Sequence, residues 1–404
     1  MPNTKNHEIV IIGGGTAGLT VAAQLRRAAP KADVAVIEPS ERHYYQPLWT
    51  LVGGGVVPIE KTVRPERDYI PDGVTWIRDS VESVHPEANR LTLADGTAVD
   101  YAFLVVAPGI ELNWAGIEGL PAALGSGGVC SNYGPDLAPY TWETLRGLSR
   151  GSRLIFTQPS TPVKCGGAPQ KIMYLAADHL RRTGKLDSAS IIFKSPGSVV
   201  FGVKEFERTL KKVIARYGID FQLGKELVAI DGAAARARFR VTDPESGETT
   251  FEEERFDMLH VVPPQRAPAF VREGPLANAD GWLDVDRSTL RHARFDNIFG
   301  LGDAAGTPNA KTGAAVRKQA PVVVGNLLAQ RKSGETRTAM EYSGYSSCPL
   351  VTGYGRLVLA EFDYDNRPDP SFPFDTTKER RSMYLLKRYV LPGLYWHGML
   401  RGRA

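Results

Sequence analysis

Two cysteines, Cys165 and Cys348, stand where a thiol could do chemistry. Cys165 follows the apolar run 154–156 and precedes Pro169, which favours the first turn of a helix. A thiol just ahead of a helix N-terminus, with Lys164 beside it, has the surroundings that lower a cysteine pKa and enrich the nucleophilic thiolate. These residue types indicate redox chemistry on sulfur. That the two cysteines converge from different domains is a hypothesis, because neither residue shows it alone.

The alternative to a catalytic role for each cysteine is a structural one, as a small buried residue that fills a turn. The third cysteine, Cys130, has no motif of its own, so a structural and a catalytic role both stay open. Three cysteines in 404 residues do not form a disulfide framework. The histidines show no ligand spacing with them, and no metal site is predicted.

The chain opens with a dinucleotide-binding fingerprint. An apolar strand over 8–12 leads into Gly13-x-Gly15-x-x-Gly18, then a helical stretch, a second strand, and Glu38 at its end. Gly13 permits the tight turn, Gly15 lets the backbone approach a pyrophosphate, and Gly18 lets helix and strand pack closely. Glu38 is placed to accept hydrogen bonds from a ribose. Strand, glycines, helix and acid together predict a Rossmann unit.

A later motif decides between FAD and NAD. The strand 297–301 runs into Gly302-Asp303, and Thr312-Gly313 opens a helix. In flavoproteins with two dinucleotide domains, such an Asp binds the ribityl chain, and the helix N-terminus stabilises the reduced flavin. FAD is therefore the predicted cofactor. The run 103–108 ending in Gly109 is typical of the segment that passes the cofactor, with a plain buried strand and turn as the alternative.

The pattern predicts an α/β chain with two Rossmann-like domains and a C-terminal interfacial segment. Residues 1–112 and 290–335 form a discontinuous FAD domain, because the Gly-Asp motif must fold back onto the first fingerprint. Residues 113–289 form the second domain, and 336–404 the C-terminal region. In the second domain we expect helices near 170–183 and 204–217, a hairpin over 236–256, and a strand over 258–264. The loop before Cys165 lacks the expected glycines, which disfavours NADH binding there.

Composition limits the partners. Net charge is only +4, and basic residues cluster near the end of the chain, which is weak evidence for a nucleic-acid partner but fits an anionic membrane surface. No run of 18 apolar residues could span a bilayer. We also expect no secretory signal, because the polar start leads straight into a strand. Residues 383–401 mix aromatic, aliphatic and basic side chains around Pro392-Gly393, which predicts two interfacial helices on an anionic membrane surface. A tail packed on the FAD domain is the alternative.

Three long blocks carry a resemblance to a known family. They are HYYQPLWT at 43–50, TPVKCGGAPQKIMYL at 161–175 and CPLVTGY at 348–354, supported by 258–264, 281–286 and 361–364. Together they resemble the sulfide:quinone oxidoreductase family, most closely the branch that contains the mitochondrial enzyme. The resemblance extends over nearly the whole chain.

The resemblance implies a mechanism. Hydrosulfide attacks a sulfur bridge between Cys165 and Cys348 and leaves a persulfide on Cys348. Cys165 then attacks flavin C4a and passes two electrons into the ring, which reduces a quinone. A small thiol, sulfite or sulfide removes the sulfane sulfur. Some members carry a third cysteine near Cys130 that assists sulfur release or holds the flavin. A membrane-associated homo-oligomer is also expected.

Flat aromatic rings suit a flat quinone, and the candidates for its pocket are Tyr354, Phe372, Phe374 and Tyr384. Lys311 is a candidate contact to the flavin or the quinone, with an exposed, solvated lysine as the alternative. Two other functions stay open: an NADH:quinone oxidoreductase of the same fold, and a flavin-loaded sulfide or persulfide sensor that does not turn over.

Overall fold

The first Rossmann-like unit is built on a seven-stranded sheet. A computed structural model describes residues 4–336 and 338–404 of the chain. Within these residues the strands of this sheet are Thr4–Ile12, Val34–Ile37, Val74–Ile77, Val81–His85, Arg90–Leu93, Ala98–Val106 and Ile298–Gly300. The segment 9–12 is β-branched and almost fully buried because parallel neighbours and helices cover it.

The late strand Ile298–Gly300 pairs in parallel with Ala98–Val106. Ala98–Val106 also pairs in parallel with Thr4–Ile12, so the Gly302-Asp303 motif and the glycine fingerprint both follow strands that end at the same edge of the sheet. This pairing agrees with the expected fold-back of the motif. The predicted domain limits themselves stay predictions.

The second unit has a five-stranded parallel sheet. Its strands are Val129–Cys130, Met258–His260, Arg153–Thr157, Ser190–Ser195 and Asp220–Leu223, in that order across the sheet. A three-stranded antiparallel sheet lies beside it, formed by Lys225–Asp231, Arg236–Thr242 and Thr249–Arg255. The predicted hairpin is the pair of later strands. The predicted strand 258–264 is shorter, because prolines follow it.

Three helices and one hairpin recur below. The first helix is Thr16–Ala28, the cysteine helix is Ala168–Arg182, and the long helix is Gly313–Ser333. The cysteine hairpin comprises Ser346–Gly353 and Arg356–Phe362. The remaining α-helices are Trp49–Gly53, Leu120–Ala123, Leu137–Gly147, Lys204–Tyr217, Ala269–Arg272, Arg381–Leu385 and Leu391–Gly393, and short strand pairs join Arg42–Tyr44 to Val63–Pro65 and Glu111–Leu112 to Gln265–Arg266.

Residues 381–401, the C-terminal segment, form one helical run. It passes from Arg381–Leu385 through wide π turns at Leu386–Val390 and Leu394–Gly398 to a 3₁₀ turn at Met399–Arg401. The predicted break at Pro392-Gly393 is wrong, because both residues lie in helical backbone. Proline is tolerated here because it stands in the first turn of Leu391–Gly393, directly after the π turn Leu386–Val390.

The α/β class with two Rossmann-like sheets is confirmed. Among residues 4–336 and 338–404, no helix is both long and apolar enough to cross a membrane. The C-terminal segment packs on the first helix, and the cysteine hairpin packs on the cysteine helix. These two contacts bring the end of the chain to the cavity that both units share.

Candidate active site

A cavity of about 640 Å³ opens between the glycine fingerprint, the cysteine loop, the long helix and the C-terminal segment. Its walls include Gly15, Glu38, Asp303, Cys165 and Lys387. The cavity therefore brings together the predicted cofactor motifs and one of the predicted redox cysteines.

The fingerprint glycines fit a pyrophosphate. An added Cβ at Gly15 would meet nothing within 4 Å, so the space in front of it is open. At Gly18, by contrast, a Cβ would lie 1.8 Å from the Gly13 carbonyl oxygen, and Gly13 itself has a φ of +96°. Gly13 and Gly18 thus serve the turn and the packing, whereas Gly15 leaves room for a ligand. The Gly14 N–H donates to Glu38 Oε2 at 2.7 Å and holds that carboxylate at the cavity wall.

The opposite end of the cavity carries the Gly-Asp motif. Gly302, Asp303, Thr312 and Gly313 line it, and Thr312 caps the long helix by accepting from the Ala315 N–H at 3.2 Å. Burial raises the pKa of Asp303. The helix N-terminus offers free N–H groups and a positive end to an electron-rich ring.

Lys311 and Gly109 also line the cavity. Lys311 is 8% exposed, its ammonium donates to the Ala305 carbonyl at 2.9 Å, and it lies 4.0 Å from the centre of the Trp282 ring. Burial lowers the pKa of Lys311 to about 8. A solvated surface lysine is therefore not what the structure shows. Gly109 has a φ of +78° and open space beside it.

Two buried polar side chains have unsatisfied atoms at this cavity. Among the described residues, Glu66 Oε1 and both side-chain polar atoms of Asn132 have no hydrogen-bond partner. Both residues are at least nine-tenths buried and line the cavity. Buried polar atoms are paired in native proteins, so a polar ligand is expected to complete them. With the open space at Gly15, these residues fit FAD.

Cys165 and Cys348 are in contact. Their thiols hydrogen-bond to each other, and Cys348 is 1% exposed on the cysteine hairpin. Cys165 sits in a tight loop: its N–H donates to the Lys311 carbonyl at 2.7 Å, and its own carbonyl accepts from the Ala168 N–H at 2.7 Å. Its φ is +55°, which is uncommon outside glycine. The pair could form a disulfide or share one proton.

Two lysines from different elements surround this pair. Lys171 of the cysteine helix donates to Cys165 Sγ at 2.9 Å, and Lys387 of the C-terminal segment lies near both cysteines. Both lysines are almost fully buried. The hydrogen bond from Cys348 and the charges of Lys171 and Lys387 hold the pKa of Cys165 well below its usual range. The same thiolate, together with burial, raises the pKa of Cys348.

The predicted helper, Lys164, is not the cation at the thiol. Its ammonium donates to Gln46 Oε1 at 2.7 Å and faces the rings of Trp49 and Tyr133. The expectation of a low thiol pKa stands, but its source is Lys171 and Lys387. In the sequence, each of these lysines stands among apolar residues of a helix. Burying a charge there without a partner costs free energy, and that could have marked both residues as functional.

Cys130 is not brought to the cavity. It is 0% exposed on its short strand, in register with His260, and burial raises its pKa to about 12. A neutral, inaccessible thiol of this kind packs rather than reacts. We therefore leave Cys130 out of the reaction.

The four aromatic residues predicted to contact the quinone differ in whether they line the cavity. Phe372 lines the cavity and stacks on Phe374, which does not line it, with ring centres 5.2 Å apart. Tyr354 donates to the Gly54 carbonyl at 2.7 Å and, like the buried Tyr384, lies outside the lining. Of the four, Phe372 alone among the described residues is placed to touch a ligand in this cavity.

The C-terminal segment forms another wall of the cavity. Leu386, Val390, Leu391 and Leu394 line it. The sequence predicted contact of this segment with a membrane, and its contribution to the cavity was not predicted.

Comparison with known proteins identifies the family. Residues 7–143 match the family described as pyridine nucleotide-disulphide oxidoreductase. The chain is 44% identical to the mitochondrial sulfide:quinone oxidoreductase of Dictyostelium discoideum, over 98% of this chain and 86% of that protein. It is 42% identical to the mitochondrial sulfide:quinone oxidoreductase of Mus musculus, over 98% and 87% respectively.

A solved structure supports the fold. The X-ray structure of the sulfide:quinone oxidoreductase from the bacterium Aquifex aeolicus superposes with a TM-score of 0.82 at 20% identity, covering 99% of this chain and 92% of that chain. This likeness shows the shared fold, whereas the relatives at more than 40% identity show the kinship. The chain belongs to the sulfide:quinone oxidoreductase family.

Proposed function

We propose that the protein oxidises hydrosulfide through Cys165 and Cys348 and passes the two electrons by way of FAD to a quinone. The observation that carries the proposal is the contact between the two cysteines at the edge of the cavity, with two buried lysines around them. FAD, predicted from the fingerprint, is confirmed as the cofactor by membership of the family.

The cysteine pair balances the sulfur chemistry. Attack of HS⁻ on Cys348 Sγ of a Cys165–Cys348 disulfide breaks the S–S bond, which leaves a persulfide on Cys348 and a thiolate on Cys165. An acceptor thiolate takes the outer sulfur, and Cys348 is left as a thiolate. Loss of two electrons from the pair re-forms the bridge. Bound FAD supplies the acceptor for those electrons and their donor to the quinone.

The lysines suit both anions of this cycle. Lys171 holds the Cys165 thiolate by a charge-assisted hydrogen bond, which makes it a better leaving group. Lys387 brings a second positive charge to the same place and attracts HS⁻. Because both ammonium groups are buried, their field is screened little by solvent.

Residues along the cavity would hold FAD. Gly15 and the start of the first helix would hold the pyrophosphate, Glu38 the ribose, and Asp303 and the Thr312 end of the long helix the flavin end, since all of them line the cavity. Phe372 and the apolar side chains of the C-terminal segment are proposed to contact the quinone. The roles of these residues rest on their position in the cavity and on the resemblance.

Anaerobic titration with sulfide, followed by a short-chain quinone, tests the function. Sulfide should bleach the flavin of the wild type, and quinone should restore its colour through repeated cycles. Cys165→Ser and Cys348→Ser should each lose this sulfide-dependent turnover by at least about a thousandfold, as removal of a covalent nucleophile does. Cys130→Ala, the matched cysteine control, should turn over normally and still release its flavin on denaturation.

The outcomes separate the alternatives. If either serine variant reduces quinone with sulfide at the wild-type rate, the assignment of the pair fails. Bleaching by NADH with indifference to sulfide would mean an NADH:quinone oxidoreductase. Bleaching by sulfide without reoxidation by quinone would mean a sensor.

We also propose that the C-terminal segment rests on an anionic membrane. Leu385, Tyr389, Val390 and Leu394 are 44%, 61%, 56% and 37% exposed, although they are large and apolar. Exposed Arg381 and Arg401 flank them. An apolar face with basic residues at its edges suits insertion into the headgroup region, where a quinone is also found. The homo-oligomer stays a prediction, and which small thiol, sulfite or sulfide accepts the sulfur is left open by the resemblance.

Sedimentation with lipid vesicles tests this surface. Binding to phosphatidylcholine vesicles containing phosphatidylserine should fall at least about tenfold for Val390→Glu, since a negative charge would replace an apolar side chain that inserts into the lipid. Val199→Glu is the control, because Val199 is 51% exposed elsewhere on the surface. Equal binding by the two variants would contradict the proposal.

A further inference from the structure

A chain of hydrogen bonds joins the C-terminal segment to the glycine fingerprint. His43 Nδ1 bonds Glu66 Oε2 at 3.0 Å, and His43 Nε2 bonds the Tyr395 hydroxyl. The same hydroxyl bonds Thr16 Oγ1 at 2.9 Å. Thr16 is the first residue of the first helix, so the chain ends where that helix points its N-terminus into the cavity.

Tyr395 is held firmly in this place. It is 3% exposed, and its ring lies 4.4 Å from that of Tyr45 and 5.0 Å from that of Trp396, centre to centre. Its hydroxyl is 379 residues away from Thr16 along the chain. The fold therefore uses the end of the chain to complete a polar wall that the fingerprint begins.

The end of the C-terminal segment and Gly402, which follows it, dock on the same helix. A Cβ at Gly402, whose φ is +64°, would lie 2.8 Å from the Ala23 backbone, so the two backbones approach closely. Nearby, Arg401 donates to the Asp68 carbonyl at 2.9 Å. The first helix is thus contacted by the segment along its length and at its N-terminal residue.

Near Tyr395, the buried carboxylate of Glu66 has one oxygen without a hydrogen-bond partner among the described residues. Glu66 is 1% exposed, lines the cavity, and its Oε1 has no partner among the described residues. A Cβ on Gly14 would lie 2.6 Å from that oxygen, so Oε1 is aimed at the fingerprint loop. A polar ligand on the loop would satisfy Oε1 and face Thr16 at the same time.

We propose that Tyr395 is a positioning residue for FAD, so that the C-terminal segment and FAD bind cooperatively. Tyr395 fixes the Thr16 hydroxyl and the His43 ring beside the pyrophosphate and ribose end of the cavity. Bound FAD, in turn, favours the arrangement in which the segment is docked. Coupling of this kind is reciprocal: whatever loosens the segment must weaken FAD binding by the same factor.

The rate of FAD release from the holoenzyme tests the proposal. Tyr395→Phe keeps the ring and removes the hydroxyl, so FAD release, followed by the fluorescence of free FAD, should be about tenfold faster, equivalent to about 1.4 kcal/mol. Tyr389→Phe is the matched control on the same segment, because Tyr389 is 61% exposed, and it should stay within twofold of wild type. Tyr395→Phe should lose FAD at a temperature below global unfolding, which a merely structural defect would not cause.

A second measurement needs no variant. Cleavage of the wild-type holoenzyme by trypsin after exposed Arg381, followed by mass spectrometry, severs the segment that carries Tyr395, and FAD should be released in step with that cut. If the clipped chain retains FAD, or if Tyr395→Phe releases FAD at the wild-type rate, the proposal is overturned. Neither measurement involves sulfide or quinone, so its result is independent of the proposed turnover.

Discussion

The charge of Lys171 should control the reactivity of Cys165. Lys171→Met keeps the length of the side chain and removes the ammonium that donates to Cys165 Sγ at 2.9 Å. At that distance Coulomb's law gives about 6 kcal/mol with an effective dielectric constant of about 20, before the cost of burying the lysine is subtracted. Net contributions of hydrogen bonds to charged groups are smaller, about 1.5 to 3 kcal/mol. We expect the ratio of thiolate to thiol at Cys165 to fall by about 10- to 150-fold at any given pH.

The pH dependence of alkylation by iodoacetamide measures this ratio, because the thiolate is the reacting form. The experiment uses an anaerobic Cys348→Ala background, so that Cys165 is the accessible thiol and the buried Cys130 does not compete. Lys164→Met is the control: Lys164 adjoins Cys165 in sequence but bonds Gln46. It should change the rate by less than about threefold, as an uncoupled neighbour does.

Two results would refute the reasoning. Equal slowing by Lys164→Met and Lys171→Met would mean that sequence proximity, not the hydrogen bond, sets the reactivity. An unchanged rate in Lys171→Met would mean that the helix N-terminus and Lys387 suffice to hold the thiolate.

Three further outcomes follow from the geometry. Gly15→Ala should unfold like wild type without FAD but bind FAD at least about tenfold more weakly, measured by fluorescence titration, since its methyl group occupies the ligand's space. Gly18→Ala should lower the midpoint of thermal unfolding by roughly 5 °C, because its methyl group clashes with the backbone. Burial and the charge of Lys171 lower the pKa of Lys387 to about 7, so the unfolded chain binds more protons above that pH. The free energy of unfolding should therefore rise from pH 7 towards the ordinary lysine pKa in the wild type, and rise less in Lys387→Met, as measured by denaturant titration at several pH values.

The sequence predicted the elements well where local pattern determines them. The helix expected near 204–217 is observed as Lys204–Tyr217, and that near 170–183 as Ala168–Arg182. Both helices have a regular apolar face and clear ends. The two later strands of the three-stranded antiparallel sheet are separated by a turn that contains Pro, Ser and Gly. The fingerprint glycines could also be assigned individual roles, because each role follows from the backbone alone.

The directions of the side chains in the site could not be predicted from the sequence. Lys164 adjoins Cys165, yet the left-handed backbone at Cys165 sends the two side chains to different partners. Tyr395 reaches the cavity because the chain continues as a helix through Pro392, where a break was expected. Lys387 lies before that proline and is placed by the packing of the C-terminal segment. Long-range packing decides such contacts, and no local pattern encodes them.

The backbone conformation of Cys165 affects how the residue at the equivalent position in related chains should be interpreted. At a φ of +55° the fold itself would favour Gly or Asn, and a cysteine there is kept against local conformational preference. If the sulfur chemistry is what offsets this conformational cost, drift should replace the cysteine once sulfide is no longer used. In chains with this architecture, a glycine or asparagine at the equivalent loop position would mark lineages that have abandoned the chemistry while retaining the scaffold. A surviving cysteine would mark those that still practise it.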